Sequence, residues 1–342
     1  MKKIGYYAAG HTGKGFVNYL HTNCEGLKKI YVLKHPSYQV KTGILQRLIS
    51  HFEQNNDVEV LYSSYGVKYL DGCIVRGRSI AFIDDTIADR LENVEMIEIG
   101  HPNATDYASN EQIGLHLQAA YDYFSRGLKI HDKLEDIFVH EMNFDKADEV
   151  ATTFIERILQ NAVRQGKNSY TYHRLFGTNT PDGAVNKVRE LLNDLQYSCF
   201  IKGRAGTGKS TFMKKVLAAC KEYGYDVELY HCSFDPESVD MVLVRDLNFC
   251  IFDSTDPHEL YPQLAGEEII DMYKETVAPG TDEKYEKEIA AVNGEYKSYM
   301  KRGLQELEKA GKWVTRIDER YLLSETEYEK LFDGIISQAE KS

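Results

Sequence analysis

The sequence predicts an α/β fold of two tandem domains, each built on a mainly parallel sheet flanked by helices. Two observations lead to this prediction. Short apolar segments of strand length alternate with segments of helical periodicity along the 342 residues, a pattern typical of parallel sheets covered by helices. The second part of the chain also repeats the first. With 42% hydrophobic and 27% charged residues, the chain has the composition of a globular protein and sufficient length for two domains.

The internal repeat runs through most of the chain. The offset between its copies is 168 positions near the amino terminus, 169 through the middle and 176 in the last helical segments. The matched pairs include Thr12 and Thr180, Asn18 and Asn186, Lys41 and Lys209, Asp71 and Asp240, Asp84 and Asp253, and Arg126 and Arg302. A polar stretch without helical periodicity at residues 164–172 is typical of a linker. We therefore expect one domain at residues 1–165 and a second at residues 166–342.

The second copy contains the motif GxxxxGK[ST] at residues 203–210. It lies between an apolar segment of strand length, residues 197–201, and a segment with apolar side chains at helical spacing, residues 212–223. This strand, loop and helix order is the context that the motif requires, because the loop N–H groups and the positive end of the helix together bind phosphate. We therefore predict a P-loop NTPase-like domain. Its predicted nucleotide-binding residues are Gly203, Arg204, Ala205, Gly206, Thr207, Gly208, Lys209, Ser210 and Thr211.

Three residues of this domain have predicted chemical roles. Lys209 is placed to reach the β- and γ-phosphates, and Ser210 to bind Mg²⁺ through its hydroxyl group. Asp253 ends the apolar segment 249–252 and is the candidate Walker B aspartate, a second magnesium ligand; the alternative is an aspartate that only caps the following turn. GTP is disfavoured because this half has no Asn-Lys-x-Asp motif. The sequence thus predicts ATP and Mg²⁺ as cofactors, with Lys209 and Asp253 at the catalytic centre.

The first copy has lost the glycine-rich loop. Lys41 and Thr42 remain, but His35, Tyr38 and Val40 stand where the second copy has glycines. A β-branched valine directly before the lysine obstructs the backbone conformation that brings N–H groups together on phosphate. We expect a degenerate P-loop domain that does not hydrolyse nucleotide and serves as a regulatory or substrate-binding partner.

Further catalytic candidates lie after the motif. Asp235 follows the next predicted strand and is a candidate base or substrate-positioning carboxylate, with a helix N-cap as the alternative. Arg302, in the helical tail that follows the Walker B strand, is a candidate lid arginine that neutralises charge during phosphoryl transfer; the alternative is a solvated helix face. Ser254 occupies the position after Asp253 where many ATPases carry a glutamate, which disfavours a motor ATPase and leaves a kinase or a slow switch.

Charge and composition exclude several classes of partner. A net charge of −12 argues against a surface built for nucleic acid or anionic lipid. No apolar run approaches the roughly 18 residues of a membrane span, and the six cysteines form no CxxC pair. We expect a cytoplasmic protein whose partners are a nucleotide and, if it is a kinase, a small-molecule phosphoryl acceptor. The oligomeric state stays open.

The motifs FIKGxxGTGKST, YHCSxDPESVD and FDSTDPH, following a first half of the same order, resemble a poorly characterised bacterial family. Its members are tandem P-loop NTPase-like and nucleotide-kinase-like proteins, and the resemblance covers nearly the whole chain. It implies two P-loop folds and ATP binding at the residues named above. The leading expectation is an Mg²⁺-dependent ATPase or small-molecule phosphotransferase that uses the second half. The alternative is a nucleotide-gated binding or regulatory protein with little turnover.

Overall fold

A computed structural model describes residues 2–100 and 107–340, and its elements recur in the same order in the two halves. The first half contains β1 (Lys3–Tyr6), β2 (Ala9–Thr12), β3 (Gly15–Asn18), α1 (Leu20–Cys24), β4 (Lys29–Lys34), α2 (Tyr38–Phe52), β5 (Val58–Tyr62), β6 (Leu70–Val75), β7 (Ile80–Asp84), β8 (Val94–Glu98), α3 (Tyr107–His140) and α4 (Phe144–Leu159). The second half contains β9 (Thr171–Arg174), β10 (Gly177–Thr180), β11 (Gly183–Asn186), α5 (Val188–Leu192), β12 (Tyr197–Lys202), α6 (Lys209–Glu222), β13 (Val227–His231), β14 (Val239–Val244), β15 (Phe249–Asp253), β16 (Glu267–Asp271), α7 (Met272–Thr276), α8 (Thr281–Lys284), α9 (Glu286–Asp318) and α10 (Glu325–Glu340).

Each half forms a six-stranded mixed sheet. The strand orders are β8-β4-β7-β6-β5-β1 and β16-β12-β15-β14-β13-β9, so the two sheets have the same topology. Parallel pairs predominate, as the alternation of strands and helices predicts, but β6 and β14 are antiparallel to both neighbours. The reason is local: β6 is joined to β7 by a short 3₁₀ turn at Arg76–Arg78, and such a tight connection forces an antiparallel pair. The α/β fold class is confirmed, with these two strands as the departure from a parallel sheet.

A third sheet of four strands joins the halves. The hairpin β2–β3 and the hairpin β10–β11 meet edge to edge through an antiparallel pair of β2 with β10. In that pair His11 lies opposite Asn179, and the two residues are 168 positions apart, which is the offset of the repeat. Equivalent residues therefore face each other across a local two-fold axis. His11 is buried, its Nδ1 lies 2.9 Å from the Tyr121 hydroxyl, and burial lowers its pKa to about 3.

One hydrophobic core lies between the two large sheets and contains residues of both halves. Tyr6, Leu20 and Leu61 of the first half pack with Leu191 and Phe252 of the second. The outer face of each sheet is covered by two helices, and one of the two comes from the other half. Helix α4 packs with α6 on the second sheet, whereas α10 packs with α2 on the first. Each half therefore depends on a helix of the other to complete its outer layer.

A buried ionic cluster also bridges the halves. Arg174 is almost completely buried, with its guanidinium 3.1 Å from Glu59 of the first half and 2.9 Å from Glu228 of the second. Glu59 and Glu228 are equivalent positions of the repeat, so a single arginine serves both. Burial opposes the charged form of Glu228, but Arg174 and Arg245 outweigh this effect and hold its pKa at about 2.

The long helices α3 and α9 run along each other, and each is followed in the chain by the helix that packs on the opposite half, α4 after α3 and α10 after α9. Their contact is the most extensive between any two described elements. Gly303 of α9 lies against Phe124 of α3 so closely that a Cβ would come within 2.2 Å of the ring. The α3–α9 pair places the end of each helix beside the opposite half.

Across the described residues, no helix combines the length and apolar character needed to cross a bilayer.

Candidate functional site

The glycine-rich loop, residues 203–210, connects β12 to α6. Strand β12 lies between β16 and β15, and its residues Cys199, Phe200 and Ile201 are fully buried. Gly206 and Gly208 have φ angles of 73° and 79°, a region that L side chains rarely adopt. The loop therefore leaves a central strand in a backbone conformation that requires glycine.

Lys209 and Asp253 meet directly at this loop. The Lys209 ammonium donates a hydrogen bond of 2.8 Å to the carbonyl oxygen of Arg204, inside the loop, and lies 3.6 Å from Asp253 Oδ2. Asp253 ends β15, next to β12, which explains why the two residues converge. Its other oxygen accepts a hydrogen bond from Thr255, so the turn-capping role considered from the sequence coexists with the contact to Lys209.

The predicted magnesium ligands form an oxygen-donor set. Ser210 lies in the first turn of α6, and its hydroxyl oxygen accepts a hydrogen bond from the Val239 amide at 2.9 Å. Asp240 follows Val239 on β14 and is buried; burial and the charge of Asp253 raise its pKa to about 8. Carboxylate and hydroxyl oxygens are the kinds of ligand that a hard cation such as Mg²⁺ prefers. Among the described residues no group of three or more His, Cys, Asp or Glu could hold a metal, and Mg²⁺ in phosphate sites is commonly held by one or two carboxylates with the phosphates.

Asp240 is a site residue that the sequence reasoning missed. The signal was present, since Asp71 and Asp240 match at an offset of 169 within an apolar strand. An acidic residue repeated in a buried strand is costly unless it has a partner. In the structure, Asp240 Oδ2 lies 3.7 Å from His258 Nε2.

Asp235 lies in the turn between β13 and β14. Its Oδ1 accepts a hydrogen bond from the Glu237 amide at 3.3 Å and lies 3.4 Å from the Lys14 ammonium of the first half. The residue thus caps a turn rather than a helix. Its charge contributes to the raised pKa of Asp240, so the structure brings Asp235 to the same end of the sheet as the carboxylate pair.

Arg302 is placed elsewhere. It is exposed on α9, with its guanidinium 6.0 Å from the ring centres of Tyr123 and Tyr299. The next residue, Gly303, contacts Phe124 of α3. Phe124 lies three helical turns, on the order of 15 Å, before Glu135, the α3 residue that contacts the glycine-rich loop. The contacts of Arg302 are those of a solvated helix face.

Helix α3 of the first half covers the glycine-rich loop. A Cβ on Gly206 would lie 2.4 Å from the carbonyl oxygen of Glu135, and a Cβ on Gly208 would lie 2.8 Å from the Met142 methyl group. The end of α3 is fixed to the second half, because Glu141 accepts hydrogen bonds from Lys284 at 2.5 Å and from the Tyr285 hydroxyl at 2.9 Å. The site is therefore composed of residues from both halves.

The equivalent position in the first half is filled by the protein itself. Lys41 is buried and pairs with Asp84 at 2.8 Å and with Asp85 at 2.6 Å. At the start of α2, the carboxylate of Asp318 accepts hydrogen bonds from the Ser37 hydroxyl at 2.7 Å and the Gln39 amide at 3.1 Å.

Asp318 ends α9 and lies 176 positions after Met142, the offset of the last helices. Each long helix thus ends against the loop of the opposite half. The end of α9 places the Asp318 carboxylate at the N-terminus of α2 in the first half, where an anion is favourable. The residues just after α3 place the apolar side chain of Met142 beside Gly208 in the second half.

No protein-family model, curated protein or solved structure matches this chain. The resemblance to tandem P-loop proteins stays a prediction.

Proposed function

We propose that the second half binds ATP with Mg²⁺ at the glycine-rich loop and acts on the γ-phosphate, as an ATPase or a small-molecule phosphotransferase. The observation that supports this most is the meeting of Lys209 with Asp253 at a loop whose glycines adopt left-handed conformations. Ser210, Asp253 and Asp240 would hold the metal ion. Bound Mg²⁺ would neutralise charge that develops on the phosphate oxygens.

The remaining roles belong to the chain. The Lys209 ammonium would exchange its hydrogen bond to Arg204 for one to phosphate, and loop amides would orient the nucleotide. All six cysteines lie in the described residues and are free thiols, which supports a reducing cytoplasm as the location. The net charge of −12 supports a nucleotide and a small acceptor, rather than nucleic acid, as partners.

The test is calorimetric titration of the intact protein with ATP and Mg²⁺, alongside Lys209→Ala and Lys214→Ala. Lys214 is an exposed lysine on the same helix and serves as the matched control. Loss of a charge-assisted hydrogen bond of about 1.5–3 kcal/mol corresponds to roughly 10- to 100-fold weaker binding. We expect this loss for Lys209→Ala and unchanged affinity for Lys214→Ala. Equal affinity of all three proteins would place the ligand elsewhere.

A second candidate is a nucleotide-gated binding protein. The contact of α3 with Gly206 favours it, because nucleotide entering the loop would press on a helix that also packs along α9. Stoichiometric ATP binding without phosphate release would select this function.

A further inference from the structure

The second half lacks a carboxylate at the position after the Walker B aspartate. Ser254 stands there, fully buried, and its hydroxyl is occupied: it donates to the Leu260 carbonyl oxygen at 2.8 Å and accepts from the Leu260 amide at 2.9 Å. Ser254 holds the 254–260 turn and is not available to a water molecule. A base for hydrolysis must come from another element.

Helix α3 brings a carboxylate to this place from the first half. Glu135 contacts the glycine-rich loop through its backbone, at Gly206. Its side chain points back along α3 to His131, whose Nδ1 lies 3.4 Å from Glu135 Oε1. The His131 ring packs edge-on against Phe234, which precedes Asp235. The Glu135 carboxylate therefore lies between the loop and the turn after β13.

The charge state of Glu135 suits a base. The hydrogen bond with His131 lowers the pKa of Glu135, burial opposes this, and the charges of His131 and Lys209 lower it further. The carboxylate is thus ionised at neutral pH, and Lys209 is close enough to influence it. The side chain keeps 46% of its surface exposed, so water reaches it.

Neighbouring carboxylates are less available. Asp235 is engaged by Lys14 and by the amide of Glu237. Asp253 and Asp240 are the proposed metal ligands. The chain that follows α3 is fixed to the second half, because the Asn143 amide donates to the carbonyl oxygen of Thr276 at 2.7 Å.

We propose that Glu135 is the catalytic base for ATP hydrolysis at the glycine-rich loop of the other half, an inference that rests on the proposed function. The carboxylate accepts a proton from water as the water oxygen forms a bond to the γ-phosphorus. The bond from that phosphorus to the β–γ bridging oxygen breaks, and its electron pair leaves with ADP. The proton is then released to solvent from Glu135, leaving ADP and inorganic phosphate as the other products.

The experiment compares full-length wild type with Glu135→Gln and Asp136→Asn. Asp136 is the next residue on α3 and is exposed, so its amide variant has the same charge change away from the loop. ATP binding with Mg²⁺ is measured by calorimetry and turnover by release of inorganic phosphate. Because general-base catalysis contributes about 100-fold or more, we expect Glu135→Gln to release phosphate about 100-fold more slowly while its Kd stays within about threefold of wild type. Asp136→Asn should match wild type in both measurements.

Other outcomes overturn the inference in distinguishable ways. If Glu135→Gln turns over like Asp136→Asn, or if wild type binds ATP without releasing phosphate, Glu135 is not a hydrolytic base, but the nucleotide site stands. If Glu135→Gln binds ATP more tightly and turns over faster, the carboxylate obstructs the site instead. If wild type does not bind ATP, the proposed function fails together with the inference.

Discussion

The contact between the halves at Gly206 can be tested by adding one methyl group. In Gly206→Ala the new Cβ would lie 2.4 Å from the Glu135 carbonyl oxygen and 2.9 Å from its Cα, so backbone atoms of α3 would have to move. Gly280 is the matched control: its φ is 85°, close to the 73° of Gly206, and a Cβ there would meet no atom of the described residues within 4 Å. Both variants place alanine in a left-handed backbone conformation, which lowers stability, but only Gly206→Ala adds a steric clash.

The magnitudes follow from these two terms. A left-handed L-residue costs about 1–2 kcal/mol, and overpacking a close contact costs about 1–3 kcal/mol more. We expect Gly280→Ala to lower the free energy of unfolding by about 1–2 kcal/mol and Gly206→Ala by about 2–5 kcal/mol. Urea unfolding, followed through the fluorescence of the single tryptophan, Trp313 on α9, measures both, provided that the slope with urea is unchanged. Equal losses in the two variants would refute the packing of α3 on the loop.

Two further predictions concern the first half and the two-fold sheet. Asp318→Ala should lower the free energy of unfolding in urea by about 2–4 kcal/mol, because the buried donors at the start of α2 lose a charged acceptor. Glu319→Ala, at the exposed neighbouring residue, should change the free energy by at most about 0.5 kcal/mol. Equally small effects of the two substitutions would show that the Asp318 carboxylate does not occupy the N-terminus of α2. His11 has a pKa of about 3 in the folded protein against an ordinary 6.5, so the unfolded chain binds the extra proton and stability falls as the pH drops from 6.5 towards 3. The wild-type free energy of unfolding should therefore fall by up to about 1.4 kcal/mol per pH unit more steeply than that of His11→Gln across this window, and parallel curves would contradict the neutral burial of His11.

Much of the architecture follows from the sequence because the signals are local or repeated. The alternation of strand and helix lengths predicts the α/β class, and a repeat offset of 168 predicts that His11 and Asn179 are equivalent. The glycine motif predicts a loop between a buried strand and a helix, where the structure has β12 and α6. The pairing of Lys209 with Asp253 follows from the usual adjacency of these strands. Nucleotide binding itself stays a prediction.

The contacts between halves could not be predicted in this way. The apolar face of α4 is visible in its spacing, but spacing does not say that the face packs on the second sheet. Gly206 matches a motif explained by phosphate binding, yet in the structure the space for its side chain is taken by Glu135. In the sequence, Asp318 is one of many charged residues in a helical segment. Only the position of the end of α9 in the structure shows that Asp318 caps α2. These features depend on where long helices end in space, which local periodicity does not encode.

Helix α4 packs on the sheet of the second half and α10 on the sheet of the first, and this arrangement affects how the molecule assembles. Two separate polypeptides with this interlocking would meet by a bimolecular reaction, and their union would weaken on dilution. Joining them in one chain replaces that encounter with an intramolecular step at a fixed effective concentration. The half that kept its glycine-rich loop and the half that lost it are therefore always present in a one-to-one ratio, independent of how much protein the cell makes.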